Sequence, residues 1–189
     1  MKNVIIAFYL LISSTVLSQA KHSPLIKQGS KLNYLIAIPD GNSFPLTIIL
    51  DSVSSQYMKW GWVMSDGNKG SWIAKKNSLE NANQGWWSDL EPNSEIALTD
   101  NQMVGMFSKA LWNAIQKDKK VTFDMLEYNV KSPSEQQRFK MAEKEINIVF
   151  LEGSNSTSKI WILNNPSFPL IVKIEGNPAG PDIALQSVE

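Results

Sequence analysis

Between Tyr57 and Met64 the side chains alternate without a break. Met58, Trp60, Trp62 and Met64 fall at every second position, opposite Tyr57, Lys59, Gly61 and Val63. A period of two gathers these four on one face of an extended strand, and no helix presents them together. The same period governs 31–38, through Leu32, Tyr34, Ile36 and Ile38, and 45–53, through Leu46, Ile48 and Leu50. Segments 70–75, 120–128, 145–152, 158–163, 169–175 and 182–188 are further strand candidates, with Val121, Phe123 and Met125 sharing a face of 120–128. Turn chemistry separates most of them: Pro39-Asp40-Gly41-Asn42, Ser65-Asp66-Gly67-Asn68, Gly153-Ser154-Asn155-Ser156, Asn164-Asn165-Pro166 and Gly176-Asn177-Pro178-Ala179-Gly180-Pro181. Proline fixes φ, whereas Gly and Asn accept positive φ. Successive strands joined by short turns are antiparallel neighbours.

One long helix interrupts this pattern. Thr99 and Gln102 stand at capping-box spacing. Met103, Met106, Phe107, Ala110, Leu111, Ala114 and Ile115 then recur as one apolar stripe. Lys117, Lys119 and Lys120 put positive charge at its C-terminal end, as the helix dipole favours. The expected architecture is α+β and mostly β: a curved antiparallel sheet of about 8–10 strands, a half-barrel, wrapping one main helix at about 100–117. Segment 76–85 has room for one helical turn around Leu79 and Ala82, and 132–140, with Pro133, reads as a polar loop. Ser43-Phe44-Pro45-Leu46 and Ser167-Phe168-Pro169-Leu170 are identical, and each opens an aliphatic strand.

Residues 1–20 have a different character. Lys2 precedes an apolar run from Val4 to Ile12, and Ser18-Gln19-Ala20 ends the segment with small residues at the two positions a signal peptidase reads. Nine apolar residues are too few to cross a bilayer core of about 30 Å. The expectation is a signal peptide at 1–20 and one β-rich domain at 21–189, exported to the periplasm or cell-envelope exterior of a bacterium. The domain is large enough to bury a core without a metal or a disulfide. No further stretch has the length of a transmembrane segment.

Composition excludes several function classes. The chain has no Cys and a single His, His22, in the patternless stretch after residue 20. Disulfides, thiolate metal sites, Cys nucleophiles and Ser-His-Asp chemistry based elsewhere in the domain are thereby ruled out. Lys plus Arg and Asp plus Glu both number 18, so no basic excess points to nucleic acid. No glycine-rich phosphate loop, nucleophile elbow or calcium-loop spacing occurs, and no cofactor or metal is expected. Asp89 and Glu91, beside Trp87, are the candidates for a sugar-cleaving carboxylate pair.

What stands out is aromatic and methionine content, seven Trp among 189 residues. Large rings are first of all core material. Met and flat rings also line cavities for apolar ligands. Trp86 and Trp87, adjacent in a polar extended segment, cannot both point inward, so one is expected to cover a cavity mouth or meet a partner.

The strand run opening at Gly29-Ser30-Lys31-Leu32-Asn33-Tyr34, the helix within the strand order, and the closing pattern Lys159-Ile160-Trp161-Ile162 … Phe168-Pro169-Leu170-Ile171-Val172-Lys173-Ile174-Glu175 resemble the LolA/LolB-like periplasmic half-barrel superfamily. The resemblance implies a curved sheet around a helix, with an apolar concavity for acyl chains or a protein partner. Carriers of that superfamily keep a functional Arg in the cavity. The one Arg here, Arg138, falls in the polar loop, and no site residue transfers. The resulting expectation is a non-enzymatic exported protein binding a lipid or other hydrophobic ligand through Met58, Trp60, Trp62, Met64, Trp86, Trp87 and Phe107. The alternative is an envelope assembly factor binding a protein partner through exposed aromatics, and a carboxylate-based hydrolase comes third.

Overall fold

The structure is a computed structural model and describes residues 21–39 and 41–189. The expected signal peptide lies outside the described residues. The first strands are β1 (Lys31–Ala37), β2 (Ser43–Val53), β3 (Tyr57–Met64) and β4 (Lys69–Lys75), followed by helix α1 (Lys76–Asn81). Short strands β5 (Gln84–Gly85), β6 (Glu95–Ala97) and β7 (Gln102–Met103) lead to helix α2 (Lys109–Lys117). Then come β8 (Lys120–Phe123), β9 (Leu126–Lys131), a 3-10 turn (Glu135–Gln137), β10 (Lys140–Met141) and β11 (Lys144–Glu145). The chain closes with β12 (Ile148–Gly153), β13 (Lys159–Leu163), β14 (Ile171–Glu175) and β15 (Asp182–Val188).

Among the described residues eleven strands make one sheet in the order β6-β4-β3-β2-β1-β15-β14-β13-β12-β9-β8, antiparallel throughout except for β4/β6. The fold is thus mostly β, as the alternation requires. Two meanders, β1–β4 and β8–β15, join where β1 pairs with β15 in the middle of the sheet. Laid flat, eleven strands would span about 50 Å. Yet α1 packs on β3, β4 and α2, while α2 packs on β8 near the opposite edge. The sheet is therefore curled around the helical connection, and it remains open rather than closing into a barrel.

The sheet exceeds the expected 8–10 strands because two short edge elements are hard to see in sequence. The segment 120–128 is not one strand but the hairpin β8–β9. Its turn residues Asp124 and Met125 both have positive φ, 50° and 63°, as a two-residue primed turn demands. Met125 is 89 % exposed and does not share the inward face of Val121 and Phe123. Neither turn residue is Gly or Asn, so the usual signal is missing. Ala142 and Glu143 repeat the device between β10 and β11.

The expected helix at 100–117 is also corrected. Helix α2 starts at Lys109, capped by Ser108, whose Oγ accepts a hydrogen bond from the Leu111 backbone N–H at 3.3 Å. Thr99 and Gln102 do bond to each other, but they close a turn before β7. Positive φ at Gly105 breaks the helical path between the two. Met103, Met106 and Phe107 are buried on irregular or extended backbone, and only Leu111, Trp112 and Ile115 are buried helix residues. A second helix, α1, fills the polar segment after β4.

Cross-strand register separates the two faces of the sheet. Leu151, Ile160, Ile174, Ile183, Ile36 and Phe44 form one transverse row on the inner face. Phe150, Trp161, Lys173, Ala184 and Leu35 form the adjacent row on the outer face. On β12–β14 the outer face is covered by residues 132–147. Trp161 packs against Phe150 at 5.0 Å between centroids, and its Nε1 donates to the Gln137 carbonyl. His22, expected in a free tail, is tied to this cover: its N–H donates to the Glu145 carbonyl and its own carbonyl accepts from Asn147, both at 2.8 Å. The repeated tetrapeptide has two different environments. Ser43–Leu46 is inside β2, whereas 167–170 is a connection bridging Met106.

Candidate functional site

On the inner face of β1, β2 and β15 the core leaves a cavity of about 290 Å³. Its floor is built by the alternation of the first two strands: Tyr34 and Ile36 from β1, with Phe44, Leu46 and Ile48 from β2. Ile183 of β15 completes it. The opposite wall is a strap of two passages of the connection, 86–90 and 104–105. Backbone bonds from Phe107 N–H to the Pro169 carbonyl and from Ile171 N–H to the Gly105 carbonyl hold the second passage down. Tyr34 is buried and donates its hydroxyl hydrogen to the Ile171 carbonyl at 2.8 Å. Burial pushes its phenol above the usual tyrosine range, so it stays neutral and engaged.

Tryptophans form one side. Trp62 meets Trp72 at 6.1 Å, and Trp72 meets Trp86 edge-on at 5.4 Å. Trp72, Trp86 and Trp87 all line the cavity. The indole N–H groups of Trp62 and Trp72 are buried without a hydrogen-bond partner among the described residues.

Trp87 is anchored from both sides. Its Nε1 donates to Asp124 Oδ2 at 2.8 Å, and the Gly85 N–H donates to Asp124 Oδ1 at 2.8 Å. The Asp124 N–H in turn donates to the Asn83 carbonyl at 3.0 Å. Burial pushes the Asp124 carboxyl above the ordinary carboxylate range, and the bonds from Trp87 and Gly85 pull it partly back. Gly85 and Gly180 let the indole lie flat on backbone. A Cβ at either would sit 2.3 Å and 2.7 Å from its ring. Ser88 and Asp89, both exposed, stand where the cavity meets solvent.

The seven residues expected to bind are not brought together. Trp86 and Trp87 line the cavity, and both are half-buried rather than one in and one out. Met58, Trp60, Trp62 and Phe107 are buried in packed core, with Phe107 against Phe123 at 5.0 Å. Met64 is half-buried at the end of β3, outside the lining. Tyr34, Ile36, Leu46 and Ile48 were legible as one strand face, yet nothing in their pattern separates a face over a void from one over packed rings. Asp89 is at the mouth, whereas Glu91 is exposed and uses its carbonyl to accept from Ser94. Arg138 pairs with Glu145 at 3.6 Å on the outer cover, not in the cavity. Among the described residues no group of three or more His, Cys, Asp or Glu is placed to hold a metal, and no helix is long and apolar enough to cross a membrane.

Comparison with protein-family models, with curated proteins and with solved structures returned no match to this chain.

Proposed function

We propose that this chain is a non-enzymatic exported protein of the bacterial envelope that binds a lipid or other hydrophobic small molecule. The observation carrying the reading is the cavity of about 290 Å³ between Tyr34, Ile36, Leu46 and Ile48 on one side and Trp72, Trp86 and Trp87 on the other. Ligand pockets run from roughly 300 to 1,000 Å³, are lined mainly by apolar and aromatic side chains, and carry a few polar groups at one end. This cavity has that composition at the lower end of that size, which suits a single chain or a small ring system. The half-barrel layout resembling the LolA/LolB-like superfamily supports the same reading. Trp86 and Trp87 are engaged by the cavity and by Asp124, which favours the ligand over a protein partner as what they serve.

The test is the mass of the protein purified from its native compartment, first under native and then under denaturing conditions. The expected result is a native excess that vanishes on denaturation, with an apolar molecule in the extract. A bare native mass, together with no uptake of any alkyl-chain probe, would overturn the reading.

A further inference from the structure

Sixteen of the described residues line the cavity, and their charges are one-sided. Among the described residues Asp89 is the single carboxylate of the lining, and no Lys, Arg or His lines the space. Asp89 is exposed beside Ser88 at the mouth, while everything deeper is hydrocarbon, indole or the engaged phenol of Tyr34. A ligand with an apolar body and a charged end must leave that end at the mouth, because the interior offers no counter-charge and, besides the Tyr34 hydroxyl, only the unpartnered indole N–H of Trp72. There a negative end meets a carboxylate with no counter-charge. A positive end meets the carboxylate and, two and three positions before it in the chain, the rings of Trp87 and Trp86, a ring type whose faces attract cations.

We infer that the cavity selects amphiphiles with a positively charged, ammonium-like end over those with a negative end, and that Asp89 is the residue making the distinction. The inference rests on the proposed binding function and adds the ligand's charge class to it. Asp89 is solvated, so its field is modest and screened by salt. The selection is one of preference rather than exclusion.

The experiment uses three probes with the same tail: decyltrimethylammonium, decanol and decanoate. Each is titrated into the protein below its micelle-forming concentration, at about pH 7 and low salt, and read by calorimetry. Decyltrimethylammonium is expected to bind about tenfold more tightly than decanoate, with decanol between them. In about 1 M salt, where the Debye length falls to about 3 Å, that gap should shrink. Asp89→Asn should bring the cation-to-anion ratio close to one, and Asp89→Lys should invert it. The exposed position makes both variants compatible with folding. Equal affinities in the natural protein, tighter decanoate, or a gap that survives Asp89→Asn would overturn the charge selection and leave the cavity's binding role standing. Binding of none of the three would overturn both.

Discussion

Along β1 burial alternates residue by residue: Leu32, Tyr34 and Ile36 are buried, while Lys31 and Leu35 are exposed. Along β13 it does not, and Ile160, Trp161, Ile162 and Leu163 are all buried. The difference is one of covering. The second meander carries residues 132–147 on the outer face of β12–β14 and has α2 packed against β8, so β13 is buried on both faces and reads as a continuous apolar run. The first meander has water on its outer face. Helix α1 and the tryptophans pack against β3 and β4, and over β1 and β2 its inner face is roofed by the strap at 86–90 and 104–105. The second meander is filled, whereas the first is packed over β3 and β4 and hollow over β1 and β2, where the cavity sits.

The largest expected effect separates the outer faces. Trp161 and Leu35 stand in the same transverse row with two strands, β14 and β15, between them. Trp161→Ala empties the contact with Phe150 and the bond to Gln137, and should cost about 3–5 kcal/mol. Leu35→Ala, at 41 % exposure, should stay within about 0.5 kcal/mol. Urea denaturation checks both. Similar costs would mean that the first meander is covered by something outside the described residues.

Adding volume separates the inner faces. Ile162→Phe enters a site with no room and should cost about 1–3 kcal/mol. Ile48→Phe points into the cavity and should cost less than about 1 kcal/mol while reducing ligand uptake. A large loss at both positions would show that the hollow half is as tightly packed as the other.

The strap is the next point of weakness. Gly180→Ala places a methyl 2.7 Å from the Trp87 ring, and Gly180 has no positive φ to complicate the change. The expected loss is about 1–3 kcal/mol, and most of it should disappear in a Trp87→Ala background, where the ring is gone. Additive losses in that double-mutant cycle would place the strain elsewhere.

These contrasts mark what could be read from the sequence. The strands of the hollow half announced themselves, because a one-sided face writes period two into the residues. The hairpin at Asp124-Met125 did not, since left-handed backbone is held there by Asn83 and Gly85 rather than by Gly or Asn in the turn. The stripe from Met103 to Ile115 mimicked one helix because extended and helical backbone happened to send Met103, Phe107 and Leu111 into the same core. Trp60 and Trp62 looked like a binding stripe for a related reason: alternation reports which face is inward, not whether the space beyond it is filled. The cavity depends on where the strap falls, and that is set by contacts such as Trp87 with Asp124, 37 positions apart.

Asp124 joins the two halves, since it belongs to the β8–β9 turn and holds the strap that roofs the hollow side. Its carboxyl is raised in the folded protein, chiefly by burial, so the folded state binds this proton more tightly than the unfolded chain does. The stability it contributes is then fully present below the unfolded value of about 3.9 and is lost as pH rises through the folded value. Exposed acids such as Glu95, lowered by its bond to Lys59, act in the opposite sense, so the contribution must be read as a difference. Tyr128, whose hydroxyl is also raised by burial and by the Asp124 charge, stays neutral across this window. Thermal midpoints of the natural protein minus those of Asp124→Asn should therefore fall as pH is raised from just below the ordinary Asp range to just above it. This is the smallest of the four effects. Identical slopes in the two proteins would remove Asp124 as the titrating group of the seam. Where the difference does appear, amide exchange at 83–87 should quicken over the same pH interval while 148–163 stays protected, because the strap has only the hollow half beneath it and the filled half is packed on both faces.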